Sequence, residues 1–142
     1  MPYRWNPHPR WPAAQAEAAV SAGGGLALLD ATALARLREL DPGDRTGLLN
    51  RILRIYTQSL ERMLVQWRAA RSAGDVSVMR HVAHTLKSSS ASVGALRLSM
   101  LCADVEARLR DGRLEGIETQ LDLLAAESER ILAGLLPRVG QV

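Results

Sequence analysis

From Asp30 onward apolar residues recur every three or four positions, and the glycines at 43, 74, 94 and 112 cut this pattern into segments. That spacing places the apolar side chains on one face of an α-helix. No comparable stretch alternates with the period of two that a strand requires. A chain patterned this way buries its apolar residues by packing helix on helix. The first segment opens at Asp30 as N-cap, turns Ala33, Leu34, Leu37 and Leu40 inward, and stops at Pro42-Gly43. Asp44 begins the second, in which Leu49, Ile52, Leu53, Tyr56, Leu60, Met63, Leu64 and Trp67 keep the spacing until Gly74. Asp75 caps the third, which Gly94 closes. The fourth runs from about Ala95 to Asp111 with Leu98, Leu101, Val105 and Leu109 inward, and Gly112 closes it. The fifth, from about Leu114 to Leu136, places Ile117, Leu121, Leu124, Ser128, Ile131, Leu132 and Leu135 on one side and ends at Pro137. The expected fold is all-α, an antiparallel four-helix bundle with an additional short N-terminal helix as a lid across one end.

The expected organisation is a flexible N-terminal arm or linker over residues 1–25, a helical bundle over 26–137 and a C-terminal tail over 138–142. The arm carries Pro2, Pro7, Pro9 and Pro12 and finishes on Gly23-Gly24-Gly25. Trp5 and Trp11 are candidate docking residues in it, and Pro12 to Val20 is a candidate short helix. A chain of 142 residues is expected to form one domain. No run approaches the roughly 18 apolar residues of a membrane span, and the N-terminus lacks the apolar core of a secretory signal. A cytoplasmic location is therefore expected, without membrane insertion. The single cysteine, Cys102, excludes an internal disulfide framework and is expected to fill core.

The formal net charge of +3 raises the question of nucleic acid. Residues 26–136, however, hold fifteen cations against fourteen acids, interspersed as on a solvated helical surface. There is neither a basic stripe nor an aromatic stacking platform, so no nucleic-acid partner is expected.

Seventeen of the eighteen basic residues are arginines, and the one lysine, Lys87, lies three positions after His84 in the run His81-Val82-Ala83-His84-Thr85-Leu86-Lys87-Ser88-Ser89-Ser90. On a helix, positions three apart share a face. At about 100° per residue, Met79, Val82, Leu86, Ser89, Ser90 and Val93 cluster opposite His84, while Ser77, Arg80, His81, Lys87, Ser88 and Ala91 flank it. His84 therefore faces solvent or a partner, with a compact ammonium group beside it suited to an anion carried on the ring. Ser88, Ala91 and Ser92 are small where long charged side chains are usual, which leaves a low surface for another protein. Arg80, His81, Ser88 and Ala91 are the candidate docking residues.

If the third and fourth helices form a hairpin about Gly94 and Ala95, residue numbers adding to about 190 lie level. The residue level with His84 is Glu106, beside inward-facing Val105. Its carboxylate there accepts a hydrogen bond from Nδ1–H of His84 and leaves Nε2 with a free lone pair; the competing reading pairs Glu106 with an arginine. His81, one turn earlier, competes for the reactive role but has no lysine three residues on and stands level with apolar Leu109.

The run Ala83-His84-Thr85-Leu86-Lys87-Ser88-Ser89-Ser90-Ala91-Ser92-Val93-Gly94-Ala95 resembles the signature of histidine-containing phosphotransfer (HPt) domains, A-H-x-L-K-G-S-S-x-x-x-G-A. The resemblance extends more loosely over about residues 28–136. It implies a four-helix bundle displaying a phosphoacceptor histidine, His84, with Lys87 steadying the phosphoryl oxygens and Glu106 orienting the ring. It also implies reversible phosphoryl transfer to and from receiver-domain aspartates, as in a bacterial-type two-component phosphorelay. The partners would be a response-regulator receiver domain, a hybrid sensor histidine kinase, or both, and the protein itself a monomer. No cofactor is expected in this chain, Mg²⁺ belonging to the receiver. Without a Gly-rich phosphate loop the chain is expected to carry phosphoryl groups rather than act as an autonomous kinase. Ser88 departs from the family's usual glycine and adds bulk at the approach to His84. That departure supports an alternative, a binding-only adaptor that docks receiver or kinase domains without transfer. A metal site built from His81, His84 and Glu106 or Asp104 is a further alternative, opposed by the cation of Lys87.

Overall fold

Asp30 accepts a hydrogen bond from the Ala33 amide through its side chain at 3.0 Å, as an N-cap does, and launches helix α1, Ala31–Glu39. The computed structural model describes residues 25–139. Four longer helices follow: α2, Leu48–Ala73; α3, Val76–Val93; α4, Leu96–Asp111; and α5, Ile117–Val139. The described residues contain no strand. Each of α2 to α5 packs on the next and α5 packs back on α2, closing an antiparallel bundle. Short turns through Gly74, Gly94 and Gly112, all at positive φ, make the reversals. The expected arm, with Trp5, Trp11 and the candidate helix at Pro12 to Val20, lies outside the described residues apart from Gly25, which is buried against Gly134.

The core is the predicted one in outline. Leu53, Leu60, Val82, Leu98, Val105, Leu124 and Leu135 are among the side chains with essentially no exposure. Cys102 is as deeply buried, and its thiol is pushed up to about 12 by that burial, as befits a core filler. Leu101, expected inward, is only half-buried, since Cys102 takes the central position.

Four boundaries differ from expectation, the first being the start of the last helix, at Ile117 rather than about Leu114, because residues 115 and 116 form a turn. Leu40 is 66% exposed because α1 has already ended at Glu39, and the helical period no longer governs where it points. Asp44 does not begin the second helix. It closes a 3₁₀ turn over Pro42–Asp44 at φ 54°, and the helix starts at Leu48. The cap comes instead from Asp41, whose carboxylate accepts from the Thr46 and Leu48 amides, each at 3.1 Å. Pro137 does not end the last helix, which continues to Val139. A proline in a final turn forfeits one hydrogen bond, and here Val139 is buried while its carbonyl accepts from Arg54 Nε at 3.4 Å.

Helix α1 lies over the end of the bundle where α3 turns into α4. The Asp30 amide donates to the Gly94 carbonyl at 2.8 Å, and a Cβ on Gly94 would stand 2.8 Å from that same amide nitrogen. Glycine is required there twice over, by φ of 87° and by the closeness of the lid. This junction holds the hairpin that positions the candidate site.

Candidate functional site

Helix α3 is capped by Asp75, which accepts from the Val78 amide at 3.2 Å. Its inner face, Met79, Val82, Ala83, Leu86, Ser90 and Val93, is buried. A buried hydrogen bond of 2.8 Å between the Tyr56 and Ser90 hydroxyls ties this face to α2. With the inner face committed, the geometry of the helix sends His84 outward, and its side chain is 62% exposed.

The hairpin register brings Glu106 of α4 to His84. Glu106 Oε2 lies 2.7 Å from His84 Nδ1. The same carboxylate accepts from Lys87 Nζ through Oε1 at 2.6 Å. One carboxylate thus bridges the histidine and the lysine. A further bond, from Ser99 Oγ to the Lys87 carbonyl at 2.8 Å, pins the two helices beside it. The Glu106 side chain is 15% exposed, so its charge is shielded from water on most sides.

The hydrogen bond from the Lys87 ammonium holds the Glu106 carboxyl below its ordinary value, aided by that from His84 and opposed by partial burial. An ionised carboxylate only accepts, so Nδ1 must be the ring nitrogen bearing hydrogen. Nε2 is left as the ring nitrogen without a partner among the described residues. The arrangement provides an exposed nitrogen lone pair on an imidazole whose opposite edge is braced by a negative charge.

Lys87 lies on the same side as His84, as the helical spacing predicts, but its ammonium rests on Glu106. The sequence carries a signal for this contact, because the residue level with Lys87 is 103, one turn from Glu106. His81 is exposed and makes no hydrogen bond or ion pair with the described residues. Arg80, Ser88 and Ala91 are exposed around His84, and Ser92 Oγ donates to the Ser88 carbonyl at 3.1 Å. Among the described residues no group of three or more His, Cys, Asp and Glu is placed to hold a metal ion, and no helix is long and apolar enough to cross a membrane.

The described residues thus form a four-helix bundle that presents one braced histidine on an open helix face. Comparison with known proteins agrees: the family model described as the Hpt domain matches residues 51–134. The chain belongs to the Hpt domain family. Among solved structures it is similar to the crystal structure of histidine-containing phosphotransfer protein B (HptB) from Pseudomonas aeruginosa PAO1. The TM-score is 0.67 at 25% identity, over 80% of this chain and 96% of that one. No curated protein sequence matches it. Family membership and this likeness support a role in a phosphorelay, the setting in which Hpt domains meet receiver and kinase domains.

Proposed function

We propose that His84 is the phosphoacceptor of a phosphorelay, taking a phosphoryl group from a receiver-domain aspartyl phosphate and passing it to another receiver. The observation that carries this reading is the bridging of His84 Nδ1 and Lys87 Nζ by Glu106, with Nε2 unengaged on an exposed face. Nε2 attacks phosphorus in line, the N–P bond forms, and the acyl phosphate O–P bond breaks with the aspartate carboxylate as leaving group. The ring becomes an imidazolium whose Nδ1 proton stays hydrogen-bonded to Glu106, so the positive charge arises next to a fixed negative one. Returning the phosphoryl group reverses these steps. Lys87, one turn along, neutralises phosphoryl oxygens as they arrive, and the receiver supplies the Mg²⁺. Arg80, His81, Ser88 and Ala91 frame the approach.

The test is incubation of the His84→Gln protein with a ³²P-labelled receiver. Label is expected on the wild-type protein and absent from the variant; label retained on the variant overturns the assignment. A second reading, docking without transfer, is favoured by the exposed Ser88 where the family signature has glycine. Its signature is a stable complex with the phosphorylated receiver and no loss of the aspartyl phosphate.

A further inference from the structure

A cleft of about 360 Å³ opens far from His84, between α1, the 3₁₀ turn, the start of α2 and the end of α5. Along the antiparallel α2 and α3, Asn50 stands about fourteen residues, roughly 20 Å, farther from the Gly74 turn than His84 does. Leu37 and Leu49 give the cleft an apolar wall, and Arg38, Asn50 and Arg138 line it with donors. None of these three side chains makes a hydrogen bond or ion pair with the described residues. The Nε of Arg138 is also fully buried without a partner. A buried guanidinium nitrogen without an acceptor costs its full desolvation, and such a group calls for an explanation in a native structure.

Two carboxylates share the cleft. Asp41 is engaged by the Thr46 and Leu48 amides and by the Thr46 hydroxyl, and the Leu48 amide foremost holds its carboxyl below the ordinary value. Asp44 is exposed and held at φ 54°. The remaining features favour an anion. The Leu49 and Asn50 amides open the first turn of a 26-residue helix, where they have no helical carbonyl to bond and the helix dipole favours negative charge. A guanidinium with free donors presents the planar fork that matches phosphoryl oxygens.

We propose that this cleft binds a phosphoryl oxyanion, free or carried by a small metabolite. Arg138 and Arg38 are its cationic ligands, and Asn50 with the first turn of α2 supplies neutral donors. The site is separate from His84, so the proposal does not depend on the phosphotransfer reading.

The test is a ¹H–¹⁵N NMR titration of the full chain with sodium phosphate and with sodium pyrophosphate, against sodium chloride at equal ionic strength. Saturable shifts are expected for the Leu49 and Asn50 amides and for Arg138 Nε–H, with a Kd of about 1 mM or tighter. Arg138→Gln is expected to weaken binding by about tenfold or more, and His84→Gln to leave it unchanged. Arg38 is exposed, so Arg38→Gln keeps the fold and is expected to weaken binding severalfold. Absence of saturation, equal shifts with chloride, or wild-type affinity in Arg38→Gln together with Asn50→Ala overturns the proposal, even if Arg138→Gln fails to fold.

Discussion

Replacing Glu106 by glutamine keeps the shape of the side chain, removes its charge and leaves one acceptor oxygen where the bridge has two. In the wild-type protein the carboxylate accepts at 2.7 Å from His84 and at 2.6 Å from Lys87. Hydrogen bonds to a charged group contribute about 1.5–3 kcal/mol, against about 0.5–1.5 kcal/mol for neutral ones. In Glu106→Gln the carboxamide oxygen can still accept from Nδ1–H, so the expected loss at the transition state, where the ring turns cationic, is about 1–1.5 kcal/mol. At about 1.4 kcal/mol per tenfold, single-turnover transfer from a labelled receiver should slow by roughly 5- to 12-fold. Glu106→Ala forfeits the whole charged bond and should slow it by about 10- to 150-fold. The assay is rapid-quench transfer with the receiver in excess. Long-range ¹H–¹⁵N spectra of the ring give a second readout that bundle stability would not mimic. The wild type should show hydrogen on Nδ1, and Glu106→Ala a mixture of tautomers. If both variants transfer within twofold of wild type with an unchanged tautomer, Glu106 does not position His84 for the chemistry.

The depressed carboxyl of Glu106 has a pH consequence. A group whose folded value lies below its unfolded one adds stability that is present above the unfolded value and is lost as pH falls through the folded value. Because Lys87 is the largest cause, Lys87→Ala should raise the Glu106 midpoint in a ¹³C titration; an unmoved midpoint refutes the bridge. Gly94→Ala should destabilise the protein by about 2–5 kcal/mol in urea, combining left-handed strain with crowding against Asp30 and Ala33. A loss under about 1 kcal/mol would show that the lid yields. Ser88→Gly should quicken transfer about two- to tenfold by clearing the approach to His84, measured as above, and an unchanged or slower rate would show that the hydroxyl is no obstacle.

The outward direction of His84 is legible in the sequence because α3 is regular and one face is strongly apolar, so angle alone places the ring. Glu106 is legible for a different reason: a tight turn at Gly94 fixes the register of two antiparallel helices, and register converts sequence separation into height. Both inferences use only local geometry. The errors arise where that geometry stops. Asp44 resembles a cap because it precedes the apolar run, yet the amides at the start of α2 are met by Asp41, after the chain has turned back through Gly43. Lys87 shows a different limit: spacing along α3 puts its ammonium beside His84, and only the hairpin level of residue 103, one turn from Glu106, hints that one carboxylate holds both neighbours at once. The cleft at Arg138 is less legible still. Arg38, Asn50 and Arg138 meet there only because α5 closes the bundle against α2 and α1 folds across its end. A site within one hairpin can be read from spacing, whereas a site assembled by closure of the whole bundle requires the structure.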